Sequence, residues 1–164
     1  MEAIDLVLSL QSIREFTSKE IPSDVLDKMF EALSHAPSAS NVQPWHFVVV
    51  SDDEIKRELA KGYANFINDA AITIVGCGEP SASPDWYKVE VAIGMQHMVL
   101  AAWAQGVGSC WVDFAGRERR LRSILNIPEH IEPVAIASFG YPAKLPGKKT
   151  WKKPEEQIIH YNKF

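Results

Sequence analysis

Cysteine is scarce in this 164-residue chain: Cys77 and Cys110 are far apart and form no Cys-x-x-Cys pair. That usage fits reduced thiols in a cytosolic protein. Both thiols lie in apolar runs, Ile74-Val-Gly-Cys77 and Ser109-Cys-Trp-Val112, so they are expected to be buried and inert. Long apolar runs are missing too. None approaches the roughly 20 residues a membrane span needs. The start, Met1-Glu-Ala-Ile-Asp, has neither the basic region nor the apolar core of a signal peptide. An excess of positive charge is also absent, with 17 Lys and Arg against 21 Asp and Glu, a net charge of -4. A binder of duplex nucleic acid usually shows a basic face, so that class is disfavoured. Two short basic clusters remain, Arg117-Glu-Arg-Arg-Leu-Arg122 and Lys148-Lys149-Thr-Trp-Lys-Lys153. The first is expected to be a solvated helix face.

The familiar catalytic signatures are missing as well. There is no Walker loop, no Gly-x-Gly-x-x-Gly after a strand and no Gly-x-Ser-x-Gly. His35, His46, His97, His130 and His160 show no metal-ligand spacing. No acid–base pair stands out. Either the chain is not an enzyme, or a bound cofactor carries the chemistry.

What is present is an ordinary globular composition, 46% hydrophobic and 23% charged. At this length one domain over 1–164 is expected. Residues 4–10 read as a short helix. Pro22 and Ser23 open a second one, with Ser23 as N-cap. Its positions Val25, Leu26, Met29, Phe30 and Leu33 recur at helical spacing. A strand is expected over 45–51, followed by a short helix capped by Asp52 or Asp53. Further strands are expected at 71–77, 109–114 and 133–140, and a helix at 117–125. The longest helix should run from about Trp86 to Gln105. It is apolar nearly all round, which predicts cover on several sides and a second subunit against one of them. Ala92, Gly94, Ala101, Ala102 and Ala104 would permit close approach there. Residues 143–164 read as an extended arm whose Ile158, Ile159, Tyr161 and Phe164 need a surface to cover. Alternating strands and helices indicate a layered α/β or α+β domain.

The densest chemical signal is Ala36-Pro-Ser-Ala-Ser-Asn-Val-Gln-Pro-Trp-His-Phe47. Two prolines stiffen this loop, which holds hydroxyls and two amides just before a strand. Asn41 and Gln43, if buried, need specific partners. A flat ligand with donors and acceptors along one edge would supply them; a turn bonded to itself is the alternative. Ser12 and Arg14 alternate on an extended segment, so hydroxyl and guanidinium can converge on one phosphate.

Taken in order, these pieces resemble the nitroreductase family of FMN-dependent NAD(P)H oxidoreductases. The matching segments are Ser12-Ile-Arg14-Glu-Phe16, the 36–47 loop, Glu90-Val-Ala-Ile-Gly-Met-Gln96, Gly106-Val-Gly-Ser-Cys-Trp111 and Phe139-Gly-Tyr-Pro142, with Lys152-Lys-Pro154 and Ile159-His-Tyr-Asn-Lys-Phe164 at the end. The resemblance implies a three-layer sandwich around a central mixed sheet. It also implies a homodimer with two FMN sites at the subunit interface, and an arm over 143–164 that embraces the partner. Ser12 and Arg14 then look like phosphate ligands, joined by Lys152. Pro37, Ser38, Ser40 and Asn41 look like the flavin-edge segment from the other chain, with Gln43 beside the ring. The backbone from Val112 through Asp113 and Phe114 resembles the stretch that donates to flavin N5. Trp45, His46 and Phe114 are candidate neighbours of the site.

Activity by this resemblance is hydride transfer from NAD(P)H to an electron-poor acceptor by a ping-pong mechanism. Alternatives are another flavin reaction on the same scaffold, such as dehalogenation or flavin fragmentation, and a flavin carrier without turnover. Two departures stand out. Leu10 and Gln11 occupy positions where the family usually carries basic residues, a loss that Lys149, Lys152 or Lys153 would have to offset. The loop after residue 80 is short, which implies an open flavin face.

Overall fold

The structure, a computed structural model, describes residues 2–147 and 150–164. Lys148 and Lys149, part of the second basic cluster, lie outside the described residues. Four strands form one sheet: β1 (Trp45–Val50), β2 (Ile72–Gly78), β3 (Gly108–Val112) and β4 (Glu132–Gly140), in the order β1-β2-β4-β3. Five helices accompany them: α1 (Ala3–Ser9), α2 (Ser23–Ser34), α3 (Asp53–Ala60), α4 (Tyr87–Ala104) and α5 (Glu118–Leu125). The expected elements are all present, with ends shifted by a residue or two.

Three layers result from the strand period of two, which sends alternate side chains to opposite faces. Ile72 and Ile74 of β2 join Ala135, Ala137 and Phe139 of β4 on one face. They pack with Met29 and Leu33 of α2 and Met95, Met98 and Val99 of α4. Val75 and Cys77 point the other way, with Val112 and Ile136, onto Leu59 of α3 and Leu121 of α5. β2 is buried along its whole length because both of its faces are covered. The one polar pair inside it is satisfied internally: the Thr73 and Ser138 hydroxyls are 2.8 Å apart.

Several expectations change in detail. All named strands pair antiparallel. The parallel component of the anticipated mixed sheet is confined to one isolated bridge, Ser12 to Ser109. Ser23 is the first helical residue of α2, not its cap; Pro22 takes the cap position and offers no side-chain bond. The α3 cap is Asp52, whose carboxylate accepts from the N–H groups of Glu54 and Ile55 at 2.9 Å. β3 ends at Val112, so Asp113 and Phe114 follow the strand.

Helix α4 buries one stripe in its own chain: Tyr87, Glu90, Val91, Gly94, Met95, Met98, Val99 and Ala102. Gly94 and Ala102 therefore serve internal packing, not a second subunit; an added Cβ at Gly94 would meet Phe47, Ala36 and Leu33. Ala92 and Ala101 are half-buried, and Val89 and Ala104 are exposed. The arm is exposed throughout its described residues, including Trp151, Ile158, Ile159, Tyr161 and Phe164. No described helix is long and apolar enough to cross a membrane.

Candidate functional site

Residues 12–17 form a short extended segment fastened at both ends. Ile13 N–H donates to the Ser109 carbonyl at 2.8 Å, and Thr17 N–H donates to the Tyr141 carbonyl at 2.9 Å. Ile13 is buried while Ser12 and Arg14 face outward, as alternation on an extended chain requires. Close approach depends on two glycines paired across β3 and β4, Gly108 and Gly140. A Cβ at Gly108 would lie 2.5 Å from Ile13 Cγ1, and one at Gly140 would lie 2.9 Å from Phe16 Cδ1.

Ser12 and Arg14 open onto a groove of about 750 Å³. Leu8, Leu10 and Gln11 line it together with Gln96 and Val99 of α4 and Ser109 and Trp111 of β3. The arm crosses it with Pro146, Thr150 and Lys152. The structure thus brings Ser12 and Arg14 of one segment together with Lys152, which lies far along the sequence. Neither Arg14 nor Lys152 is in an ion pair among the described residues. Leu10 and Gln11, noted above as departures from the basic residues usual there, line the groove as neutral side chains. Lys153 is not among the lining residues, and Lys149 is outside the described chain.

Cys110 lies behind this segment. Burial pushes its thiol above the ordinary range, and the Arg14 charge and Ser12 hydroxyl, which pull it down, do not prevail. Burial likewise pushes Cys77 from 9.0 to about 11, opposed only by Arg122. Both thiols are free and buried, as their apolar surroundings predicted.

The remaining candidates stand apart from the groove in a single chain. Residues 37–43 lie beside the first turn of α4. Ala39 N–H donates to Glu90 Oε1 at 2.6 Å, and Gln43 N–H donates to Ser38 Oγ at 3.0 Å. Ser40, Asn41 and Gln43 hold φ of 51°, 58° and 50°. Three non-glycine residues in this region within four positions make an unusual, strained loop. Asn41 and Gln43 are exposed, contrary to the expectation of buried amides. Gln43 Nε2 donates to the Asn41 carbonyl at 3.3 Å, so the turn is partly bonded to itself. Pro37 and Ser40 are exposed as well, and Ser38 is half-buried. Asp113 accepts from Ala115 N–H at 3.0 Å, and Phe114 packs on the far-side core. Trp45 is half-buried and His46 exposed on β1, the edge strand opposite β3.

Sequence reasoning assigned no role to Glu90, which anchors the loop, or to Gln96, Trp111 and Thr150, which line the groove. Glu90 carried a signal: it is the sole acidic residue of α4. Among the described residues no group of His, Cys, Asp and Glu could hold a metal ion.

Comparisons with known proteins point to one family. Over 86% of its length the chain is 33% identical to a protein of Archaeoglobus fulgidus, provisionally named NADH dehydrogenase/NAD(P)H nitroreductase, and spans 86% of it. It is 26% identical, over 98% of its length and 74% of the relative, to the FMN reductase (NADPH) of Bacillus subtilis. The solved FMN-dependent nitroreductase of Clostridium difficile superposes with a TM-score of 0.88 at 27% identity, covering 98% of this chain and 99% of that one. The family model described as the nitroreductase family matches residues 9–72 and 58–141, a span that takes in the Ser12–Arg14 segment, the strained loop and all four strands. With sequence, fold and element order in agreement, the chain belongs to the nitroreductase family.

Proposed function

We propose that this protein is an FMN-dependent oxidoreductase that takes hydride from NADH or NADPH and passes it to an electron-poor small molecule such as a nitroaromatic, a quinone or a free flavin. The observation that carries this reading is the convergence of Ser12, Arg14 and Lys152 on one groove with apolar walls. The donor set fits the cofactor. A hydroxyl, a guanidinium and an ammonium suit a phosphate of about -2 charge. Leu10 and Trp111 offer apolar surface to a flat ring, and the groove lies within the usual size of a cofactor site. The FMN reductase and FMN-dependent nitroreductase relatives support the same cofactor.

When bound, FMN supplies the hydride-accepting and hydride-donating centre, so the chain needs no acid–base pair of its own. Ser12, Arg14 and Lys152 hold the phosphate. Pro37, Ser38, Ser40, Asn41 and Gln43 of a second copy border the ring. The backbone at Asp113 and Phe114 contributes a donor that favours negative charge on the reduced ring. The short loop after residue 80 leaves the ring face open, so NAD(P)H and the acceptor occupy one place in turn, which is ping-pong kinetics.

What a single chain leaves uncovered supports a homodimer. Ile4, Val7 and Leu8 of α1 are exposed, as are Ile158, Ile159, Tyr161 and Phe164 of the arm. Exposed apolar side chains such as these are what a subunit interface would cover. Residues 1–164 act as one FMN-binding domain whose arm, 143–164, lies on the partner. Free buried thiols fit a cytoplasmic setting.

Anaerobic titration tests the reading. Protein loaded with FMN should be yellow, lose its visible flavin bands on addition of NADH or NADPH, and regain them with a quinone or nitroaromatic. Colourless protein that takes up no FMN would overturn it. Yellow protein that neither nicotinamide bleaches would instead favour a flavin carrier.

A further inference from the structure

Glu90 is 4% exposed, yet it sits in the first turn of α4 with its carboxylate against a loop 51 positions earlier in the chain. Its Oε1 accepts the Ala39 N–H at 2.6 Å. Its Oε2 is buried with no hydrogen-bond partner among the described residues. Burying a carboxylate is costly unless something specific is gained. What Glu90 gains here is control of a backbone that resists its own conformation. Ser40, Asn41 and Gln43 all sit at positive φ, a region that costs most non-glycine residues free energy and persists only when the surroundings enforce it. Backbone bonds from Asn41 N–H to the Ser38 carbonyl and from Val42 N–H to the Ala39 carbonyl hold it, with Gln43 Nε2 on the Asn41 carbonyl, and two further contacts add to them. Glu90 pins the loop at Ala39, and Ser38 Oγ pins it at Gln43 N–H. The Ser38 contact is internal to the loop; the Glu90 contact ties the loop to the helix that also lines the groove through Gln96 and Val99.

We propose that Glu90 is a positioning residue: its carboxylate fixes residues 38–43 in the strained form that borders the flavin ring. This rests on the FMN reading above. Glu90 bonds to none of the three phosphate ligands, so its effect is on the ring end of the cofactor and not on the charged tail. That separates it from Arg14.

The test compares riboflavin, which lacks the phosphate, with FMN, using Kd values from fluorescence titration of the full chain. Glu90→Ala should raise both Kd values by the same factor, about tenfold, the scale of one charge-assisted hydrogen bond. The flavin absorbance bands of the residual complex should shift, because the ring edge meets a different loop. Glu90→Gln keeps an oxygen able to accept from Ala39 N–H and should restore both affinities to within about threefold of wild type, a neutral acceptor being weaker than a charged one. Arg14→Ala should weaken FMN alone. If Glu90→Ala binds both flavins as wild type does, or loses FMN affinity without losing riboflavin affinity, the positioning role is overturned. The same holds if Glu90→Gln is as impaired as Glu90→Ala. If Glu90→Ala does not fold, Glu90→Asp replaces it, since the shorter side chain withdraws the carboxylate from Ala39. Weak binding by Glu90→Asp with near-normal binding by Glu90→Gln supports the role, and any other ranking overturns it. Wild-type protein that binds neither flavin would sink the FMN reading itself, a result distinct from all of these.

Discussion

Ile13 rests directly on Gly108: a single Cβ at residue 108 would intrude to 2.5 Å from Ile13 Cγ1 and 2.8 Å from its Cβ. Ile13 is only 1% exposed and cannot swing aside. It lies between Ser12 and Arg14, so whatever moves Ile13 moves the two groups that face the groove. Gly108→Ala should therefore act on stability and binding together. Overpacking of this kind costs about 1–3 kcal/mol, or roughly 2–10 °C in Tm for a chain of this size. FMN affinity should fall as well, read by equilibrium dialysis. A variant with lowered Tm and unchanged FMN affinity would show that the segment tolerates displacement.

Arg14 and Lys152 differ in what they contribute to a phosphate. Arg14 comes from a segment tied to β3 and β4 by backbone bonds, whereas Lys152 comes from the exposed arm. A guanidinium held in place loses less freedom on binding than a lysine on a mobile stem. Arg14→Ala is expected to weaken FMN by tenfold or more, on the scale of about 1.5–3 kcal/mol for a hydrogen bond to a charged group. Lys152→Ala should cost less and lose its effect sooner as salt is raised. Isothermal titration at two ionic strengths measures both. Equal losses for the two variants would argue against the fixed segment as the main phosphate holder.

The arm should decide the oligomeric state. Removal of residues 154–164 deletes Ile158, Ile159, Tyr161 and Phe164, all of which are exposed in a single chain. Sedimentation analysis is expected to show a dimer for the full chain and a shift toward monomer for the truncated one, with FMN uptake falling in parallel. A truncated chain that stays dimeric and fully loaded would remove the arm from the assembly.

The thiols give a pH dependence with a definite sign. Folding raises Cys77 from 9.0 to about 11 by burial. Below pH 9 the thiol is protonated in both folded and unfolded chains and the stability is fully present. Between pH 9 and 11 the unfolded chain loses the proton while the folded one keeps it, so stability falls across that window. Cys110, also raised by burial, adds to the same decline. Urea midpoints from pH 8 to 11 should drop, and Cys77→Ala should flatten part of the drop. At pH 8 both thiols should react with an alkylating reagent far more slowly in folded than in unfolded protein. Rapid labelling of the folded chain would contradict their burial.

Local patterns were legible in the sequence and long-range ones were not. The spacing of Val25, Leu26, Met29, Phe30 and Leu33 marked the buried face of α2, because a helix repeats every 3.6 residues whatever lies opposite. The alternation of Ser12, Ile13 and Arg14 gave the direction of two side chains for the same kind of reason. Ser23 misled because a serine after a proline resembles a cap, yet Pro22 itself suits the turn before a helix. The strand order β1-β2-β4-β3, the Gly108–Gly140 pairing and the Glu90–Ala39 bond join residues far apart in the chain, and no local rule encodes them. Asn41 and Gln43 pointed to a special loop, and both hold positive φ there, but their exposure was not legible from residue type alone.

The most direct test of the central claim is a crystal structure of the protein saturated with FMN. The account predicts the phosphate against Ser12, Arg14 and Lys152, and the ring bordered by residues 37–43 of a second copy. FMN bound elsewhere, or a groove filled by side chains of the same protein with FMN absent, would contradict it.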